Sequence, residues 1–566
     1  MKTIEALKQL ESAQAIFGGD AGQTKLRLLD VLAKGRLSSA DQVRRLHESL
    51  CFLRALPDSP EVLARVEALL AAFPRRADLR RHRGALASTG IAGTSTHYSF
   101  FQPTASWLAR NWPGSLHLDW DELSETSARE RLERLLPLLV LWAETPALDE
   151  LPYSLRQWLK KLRGPRETDA VFLVRRFDAL KLPEAARQVF FEEYDLPLRL
   201  DPGPGTPSRT EARWAPSPVV FQTQALRRER PDLWRELKRP PRSVISLNEA
   251  EGRGLLELAR SAMVSRARDL DAFCNGDPRD VRMVDAGEGL QFALMGVKPE
   301  KRLLLESFYG VLTLKNGVPI GYMGSSALMN SSEIAFNQFE TWRGAEAAWI
   351  YARALSMVRA LFGARVFCVY SYQLGHHNDE GLQSGAWWFY QKLGYRPREP
   401  HIHAIMEAEQ GAMARKAGHR TDLPTLRRLA EENMYLWRGK FREDIIGIFP
   451  LETVGERVVE FLAERYGSDR ERAERELCAD AAKRLGAPGW KKLPAGERLG
   501  FERWSPLVAV LPGLERWSAA ERRGLFDVMR AKGGRRESDY VRLFDAHLPL
   551  RGALRQLAQP RGPRES

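Results

Sequence analysis

Cysteine is scarce in this chain, and no long apolar run occurs. Four cysteines, Cys51, Cys274, Cys368 and Cys478, are spread over 566 residues with no Cys-x-x-Cys pair. That spacing supports neither a disulfide framework nor a zinc site, and it suits a reducing cytosol. The longest apolar stretch, "LLPLLVLWAE" at 135–144, falls far short of the roughly 18 residues a membrane span needs. The opening "MKTIEALKQLESAQAIF" reads as an amphipathic helix and lacks the apolar block of a signal peptide. A cytoplasmic protein without membrane contact is expected.

Acidic residues are also in deficit. Lysine and arginine number 86 against 73 aspartates and glutamates, a formal charge of +13. One reading is an acidic partner: nucleic acid, a carrier protein or a phosphorylated cofactor. The other is an arginine-rich composition without a partner. The basic stretches "RRADLRRHRG" (75–84) and "RRERPDLWRELKRPPR" (227–242) read first as solvated helix faces. Histidines cluster in "GHHNDE" (His376, His377) and "HIH" (His401, His403), the latter pair sharing one face if that segment is a strand. Such clusters are more often surface polar residues than ligands, and no metal is expected.

The length allows roughly three or four domains. A hydrophobic share of 44% and a charged share of 28% describe a globular chain. Residues 1–235 read as a mainly helical domain. "SADQVRRLHESLCFLRAL" and "SPEVLARVEALLAAF" each open on a serine N-cap and repeat apolar residues at helical spacing. "STGIAGTSTHYSFF" (88–101) lacks the lysine of a P-loop and reads as a polar loop, and the Pro/Gly-rich 201–218 as a linker or long surface loop.

From 236 to 403 the texture is α/β. Ser243–Leu247 reads as a strand, Asn248 as an N-cap, and the following stretch as a helix. "LQFALMGV" follows, and then Asn316-Gly317 stands between two apolar runs, a strong hairpin signal. Glu333–Glu340 reads as a further strand, 344–362 as a helix and "ARVFCVYSY" as a buried strand. "NDEGLQSGAWWFYQKLG" reads as one helix stopped by Gly394. Residues 404–566 return to helical patterning.

Two stretches in this order resemble the GNAT acyltransferase superfamily, over roughly residues 240–400. In "QSGAWWFYQKLGYRP", Gln383 takes the family's Asn position, and Ala386, Tyr390, Lys392, Gly394 and Tyr395 fill the positions that follow. In "RGAEAA", Arg343, Gly344 and Ala348 fit the family's phosphate loop, whose backbone N–H groups at a helix N-terminus hold the pyrophosphate of coenzyme A. Glu346 departs from it. A carboxylate about 4 Å from a phosphate costs on the order of 4 kcal/mol at an effective dielectric near 20. Weak coenzyme A binding that tightens in Glu346→Gly is therefore expected. The family closes its sheet with two more strands after the tyrosine helix; "HIHAI" could begin one, but helical patterning follows.

The resemblance implies an N-acyltransferase with a mixed, mostly antiparallel sheet between two helical domains. It would move an acyl group from acyl-CoA (acetyl-CoA) to an amine on a small molecule, peptide or protein. Arg343, Gly344, Ala345, Glu346, Ala347, Ala348 and Gln383 would bind the cofactor. Tyr390 would protonate the departing thiolate, and Glu333 or Glu340, on opposite faces of one strand, would be the base. Two alternatives stay open: a degenerate GNAT domain acting as a binding or scaffold module, and a transferase whose donor is an acyl-carrier protein or aminoacyl-tRNA.

Overall fold

A computed structural model describes residues 2–125 and 127–559. Its centre is a nine-stranded, mostly antiparallel sheet with helices on both faces, the mixed α/β arrangement that the sequence pattern predicts.

The expected helical domain at 1–235 holds two separate cores. Helices Thr3–Ala13, Ala21–Lys34, Ala40–Ala55 and Pro60–Ala72 start where expected, with Ser39 and Ser59 each accepting a hydrogen bond (3.3 Å) from the backbone N–H three residues on. Their apolar faces (Leu46, Leu50, Leu53, Val66) merge into the core of the central sheet. Residues 96–200 bury a core of their own, around a small antiparallel sheet of β1 (Thr96–Tyr98), β2 (Leu116–Leu118) and β3 (Leu198–Leu200). The Pro/Gly-rich segment that follows is not a free linker. Thr210 Oγ lies 2.8 Å from His47 Nε2, Arg54 donates to the carbonyls of Arg209 and Thr210, and the Trp214 N–H donates to the Gly317 carbonyl.

The central sheet is formed by β4 (Ser243–Ser246), β5 (Gly276–Gly287), β6 (Leu290–Val297), β7 (Ser307–Lys315), β8 (Val318–Leu328), β9 (Ser331–Gln338), β10 (Val366–Val369), β11 (Arg396–Pro397) and β12 (Met434–Leu436). Its order is β11-β12-β10-β9-β8-β7-β6-β5-β4. The β7–β8 turn is the one read from Asn316-Gly317, with φ of 51° and 78° at the two central residues, as a two-residue hairpin of this twist demands. Asn248 caps the helix Glu249–Val264 through Glu251 N, and the Glu251 carboxylate returns to Asn248 N, both at 3.0 Å.

β9 and β10 are the parallel pair, joined by the helix Ala347–Phe362, here called the loop helix. Their pairing runs only from Ser331↔Val366 to Glu333↔Cys368, yet β9 continues to Gln338. Beyond Glu333 the two strands part. The loop helix covers the face carrying Tyr309 and Phe336, whose rings lie 5.1 Å from Phe362 and 5.3 Å from Tyr351.

Three expectations about the end of this region are corrected. The predicted helix 378–394 is two helices, Asp379–Ser384 and Ala386–Lys392, broken at Gly385, which takes φ 70°. "HIH" opens the helix Pro400–Arg415, so His401 and His403 do not share a strand face. The sheet does close with two strands after the tyrosine, β11 and β12, but a helical excursion separates them, and β12 lies beyond the expected boundary at 403.

The C-terminal helices pack onto the sheet through the segment before β7. Trp504 is fully buried and its indole N–H donates to the Leu304 carbonyl (3.1 Å), while Arg302 donates to the carbonyls of Lys532 and Gly534. Among the described residues no helix is long and apolar enough to cross a membrane.

Candidate functional site

The parting of β9 and β10 opens a groove. One wall is the free end of β9 (Phe336, Asn337, Gln338), and the opposite wall carries Ala386, Phe389 and Tyr390 of the short tyrosine helix. Arg343, Gly344 and Ala347 close one end.

At that end the chain makes a 3-10 turn over Glu340–Trp342, passes Gly344 at φ 82°, and enters the loop helix through Glu346 at φ 54°. Among the described residues, the backbone N–H groups of Gly344, Glu346, Ala347, Ala348 and Trp349 have no acceptor. Three of these belong to the first helical turn, where the helix itself supplies none and the partial positive charge of the axis collects. The amide of Gln338 steadies the loop by donating to the Ala345 carbonyl (3.1 Å).

Glu346 does not occupy this end. It is 5% exposed and turns inward, its carboxylate 3.5 Å from Lys315 Nζ and 3.4 Å from the backbone N–H of Arg227. Burial pushes the Lys315 ammonium below its ordinary value, and Glu346 and Glu288 pull it back up. The expected clash with a phosphate is therefore absent. Ala345 and Ala348 contribute backbone rather than wall, and Gln383 is exposed on the far side of the break at Gly385, so Gly381 and Ser384 line the groove where Gln383 was expected.

Arg343 points along the groove wall, but it is held by an ion pair with Glu380. Glu380 also accepts from Arg268 at 3.0 Å. Burial alone would lift the Glu380 carboxyl; the two guanidiniums hold it below the ordinary carboxylate range. Two buried acceptors at the groove, Asn337 Oδ1 and Gln338 Oε1, have no hydrogen-bond partner among the described residues.

Tyr390 is 3% exposed, packed edge-on to Tyr351 (5.5 Å) and Tyr395 (5.7 Å). Its hydroxyl makes no hydrogen bond among the described residues, although Tyr351 and Tyr395 share one at 2.6 Å. Burial and then Glu333 raise its pKa, so the phenol stays protonated.

The structure separates the two candidate bases. Glu333 sits where the β9–β10 ladder ends, on the face away from the loop helix, in one row with Phe308, Ser326 and Cys368. It is 6% exposed, and its carboxylate has no hydrogen bond or ion pair among the described residues. Burial, and then Glu306, push its carboxyl up to about 8. Glu340 is not at a strand end; it is exposed in the 3-10 turn and lines a second cavity that shares Asn337, Arg343 and Glu380 with the groove. Sequence reading missed Asn337 and Glu380. The second stood in the histidine-rich stretch, where only the histidines drew notice. Those histidines, His376 and His377, meet edge to face with ring centroids 4.1 Å apart, and no cluster of three metal-ligating side chains occurs among the described residues.

Compared with protein-family models, curated proteins and solved structures, the chain matches none of them.

Proposed function

We propose that the groove binds an acyl thioester of coenzyme A and that the protein transfers the acyl group to an amine. One observation carries this reading: Gly344 and Ala347, whose N–H groups are unpartnered among the described residues, and Tyr390, whose hydroxyl is unbonded among them, line one groove, opened by two parallel strands that part. The first suits a pyrophosphate, as helix N-termini bind anions readily. The second suits a departing thiolate, which needs a proton as the C–S bond breaks. The sheet order and the two strands after the tyrosine helix add to the resemblance with the GNAT superfamily.

In this scheme the free amine attacks the thioester carbonyl and forms the C–N bond. Glu333 takes the proton that the amine sheds, through water. A carboxyl that titrates near 8 is well matched to that task at neutral pH. The C–S bond then breaks and the Tyr390 hydroxyl protonates the sulfur, giving an amide and a free thiol. Glu340, exposed beside the groove, attracts the ammonium form of the acceptor. The parted edge of β9 offers backbone groups to the thioester oxygen.

The Arg343–Glu380 pair favours a second reading, a binding module without turnover, because the loop's cation is already engaged. Titration with acetyl-CoA, followed by thiol release on adding primary amines, separates the two. Acyl transfer predicts saturable binding and thiol release that depends on amine. Binding without release would support the module, and no binding would exclude both.

A further inference from the structure

The second cavity lies against the groove, sharing Asn337, Arg343 and Glu380 with it. At about 290 Å³ it suits a small molecule or one end of a larger one. Its walls come from six parts of the chain: the N-terminal helix Ala40–Ala55, the loop at Ser88 and Thr89, Arg209 of the Pro/Gly-rich segment, the turn after the helix Glu249–Val264, the end of β9 with the turn after it, and Glu380 of the helix Asp379–Ser384.

Its charge is unusual. Five arginines line it, Arg44, Arg209, Arg266, Arg268 and Arg343, against three carboxylates, Glu48, Glu340 and Glu380. Arg209 is paired with Glu48 at 2.5 Å, Arg44 is held by Asp41 at 2.9 Å, and Arg268 and Arg343 share the single carboxylate of Glu380. Arg266 has no ion-pair partner among the described residues. Its guanidinium carbon lies over Phe339, 3.6 Å from the ring centroid, and it donates to the Ala262 carbonyl (2.8 Å) and Ser265 Oγ (3.4 Å). Burial and the neighbouring Arg209 push it well below its ordinary value. Arg209 Nε is buried and unpartnered among the described residues, and so is Asn337 Oδ1 in the shared wall. Arg266 is half-buried; a guanidinium partly withdrawn from water without a carboxylate carries a desolvation cost, and a bound anion relieves it.

We infer that this cavity is the acceptor site, and that the acceptor is an amine bearing an oxyanion, a carboxylate or phosphate, held by Arg266 and Arg209. The anion would lie deep, over Phe339, while the amine faces Glu340 and Asn337 at the opening to the groove. Asn337 Oδ1, unpartnered among the described residues, would accept from an amine N–H. The assignment gives the N-terminal helices a task, since Arg44 and Glu48 come from them. It rests on acyl transfer as proposed above, but anion binding can be measured without a donor.

Matched pairs are titrated calorimetrically into the full chain without donor: lysine against cadaverine, tryptophan against tryptamine, and phosphoethanolamine against ethanolamine. At least one anionic member should bind about ten-fold or more tightly than its neutral-ended partner, because charge-assisted forked contacts are lost without the anion. The amino-acid and phosphoethanolamine pairs tell a carboxylate from a phosphate. Arg266→Met should remove that preference, and Arg44→Met, at the more exposed rim, should weaken it by a smaller factor; the second variant serves if the first does not fold. Neither should alter acetyl-CoA binding. Anion preference without acetyl-CoA binding would keep this site and sink acyl transfer. Acyl transfer that favours the neutral-ended amines, no preference in any pair, or a preference untouched in both variants would overturn the inference.

Discussion

The carboxylate of Glu346 lies 3.5 Å from Lys315 Nζ, behind the loop whose front it was expected to block. Both side chains are 5% exposed, so each is the other's counter-ion in a dry setting. Glu346→Gly is therefore expected to do harm. It relieves a left-handed backbone, worth about 1 kcal/mol, but leaves Lys315 buried without its partner, worth roughly 3 kcal/mol. A net loss of about 2 kcal/mol should appear in urea melts, with coenzyme A binding unchanged or weaker. The double variant with Lys315→Met should recover most of the stability. Tighter acetyl-CoA binding in Glu346→Gly would show that the carboxylate faces the ligand after all.

Glu380 is the carboxylate that does compete for the loop's cation. It pairs with Arg343 and Arg268 and lines the groove. Glu380→Gln should free both guanidiniums and tighten acetyl-CoA binding by about three- to ten-fold at low salt, with a smaller gain at high salt because the pair is partly exposed. Unchanged affinity at both salt concentrations would mean that Arg343 does not meet the ligand.

Tyr390→Phe separates chemistry from packing. The ring is buried and the hydroxyl makes no hydrogen bond among the described residues, so its removal should leave stability unchanged or slightly improved. Turnover should fall by about 10²-fold, the usual size of a lost general acid, with acetyl-CoA affinity unchanged. An unaltered rate would return Tyr390 to the core.

Glu333 ties stability and rate to the same pH window in opposite directions. Its carboxyl titrates near 8 in the folded chain and near 4.5 when unfolded, so between those values the folded state holds a proton that the unfolded state has lost. Its contribution to stability is complete below about 4.5 and falls as the pH rises to about 8, by as much as ~5 kcal/mol. Glu333→Gln, which cannot ionise, should flatten that fall and raise the melting temperature at pH 8 relative to wild type. The wild-type rate should climb over the same interval and level off near pH 8, and Glu333→Gln should lose it. Equal melting curves at pH 5 and pH 8 for both proteins would place Glu333 in contact with water.

Local signals in this chain were legible because their partners are three residues away or fewer. Asn248 with Glu251, Ser39 with Gln42 and the Asn316-Gly317 turn need no tertiary context. The break at Gly385 was not legible, since a single glycine costs a helix only about 1 kcal/mol and an aromatic-rich pattern hides it. "HIHAI" alternates over too few residues to separate a strand from a helix. The direction of Glu346 is set by Lys315, 31 positions earlier, and by Arg227, 119 positions earlier. No local rule reaches that far. The groove wall contributed by Asn337 and the latch formed by Glu380 depend in the same way on two strands parting.

Hydrogen exchange with and without acetyl-CoA tests the central claim most directly, because it reads the unpartnered amides themselves. Saturating acetyl-CoA should slow exchange in the peptide spanning 343–350, where Gly344 and Glu346–Trp349 would gain acceptors, and in the facing peptide around 386–390, and leave the segments remote from the groove unchanged. No slowing in the 343–350 peptide at saturation, or protection confined to other segments, would contradict a thioester bound between β9 and β10.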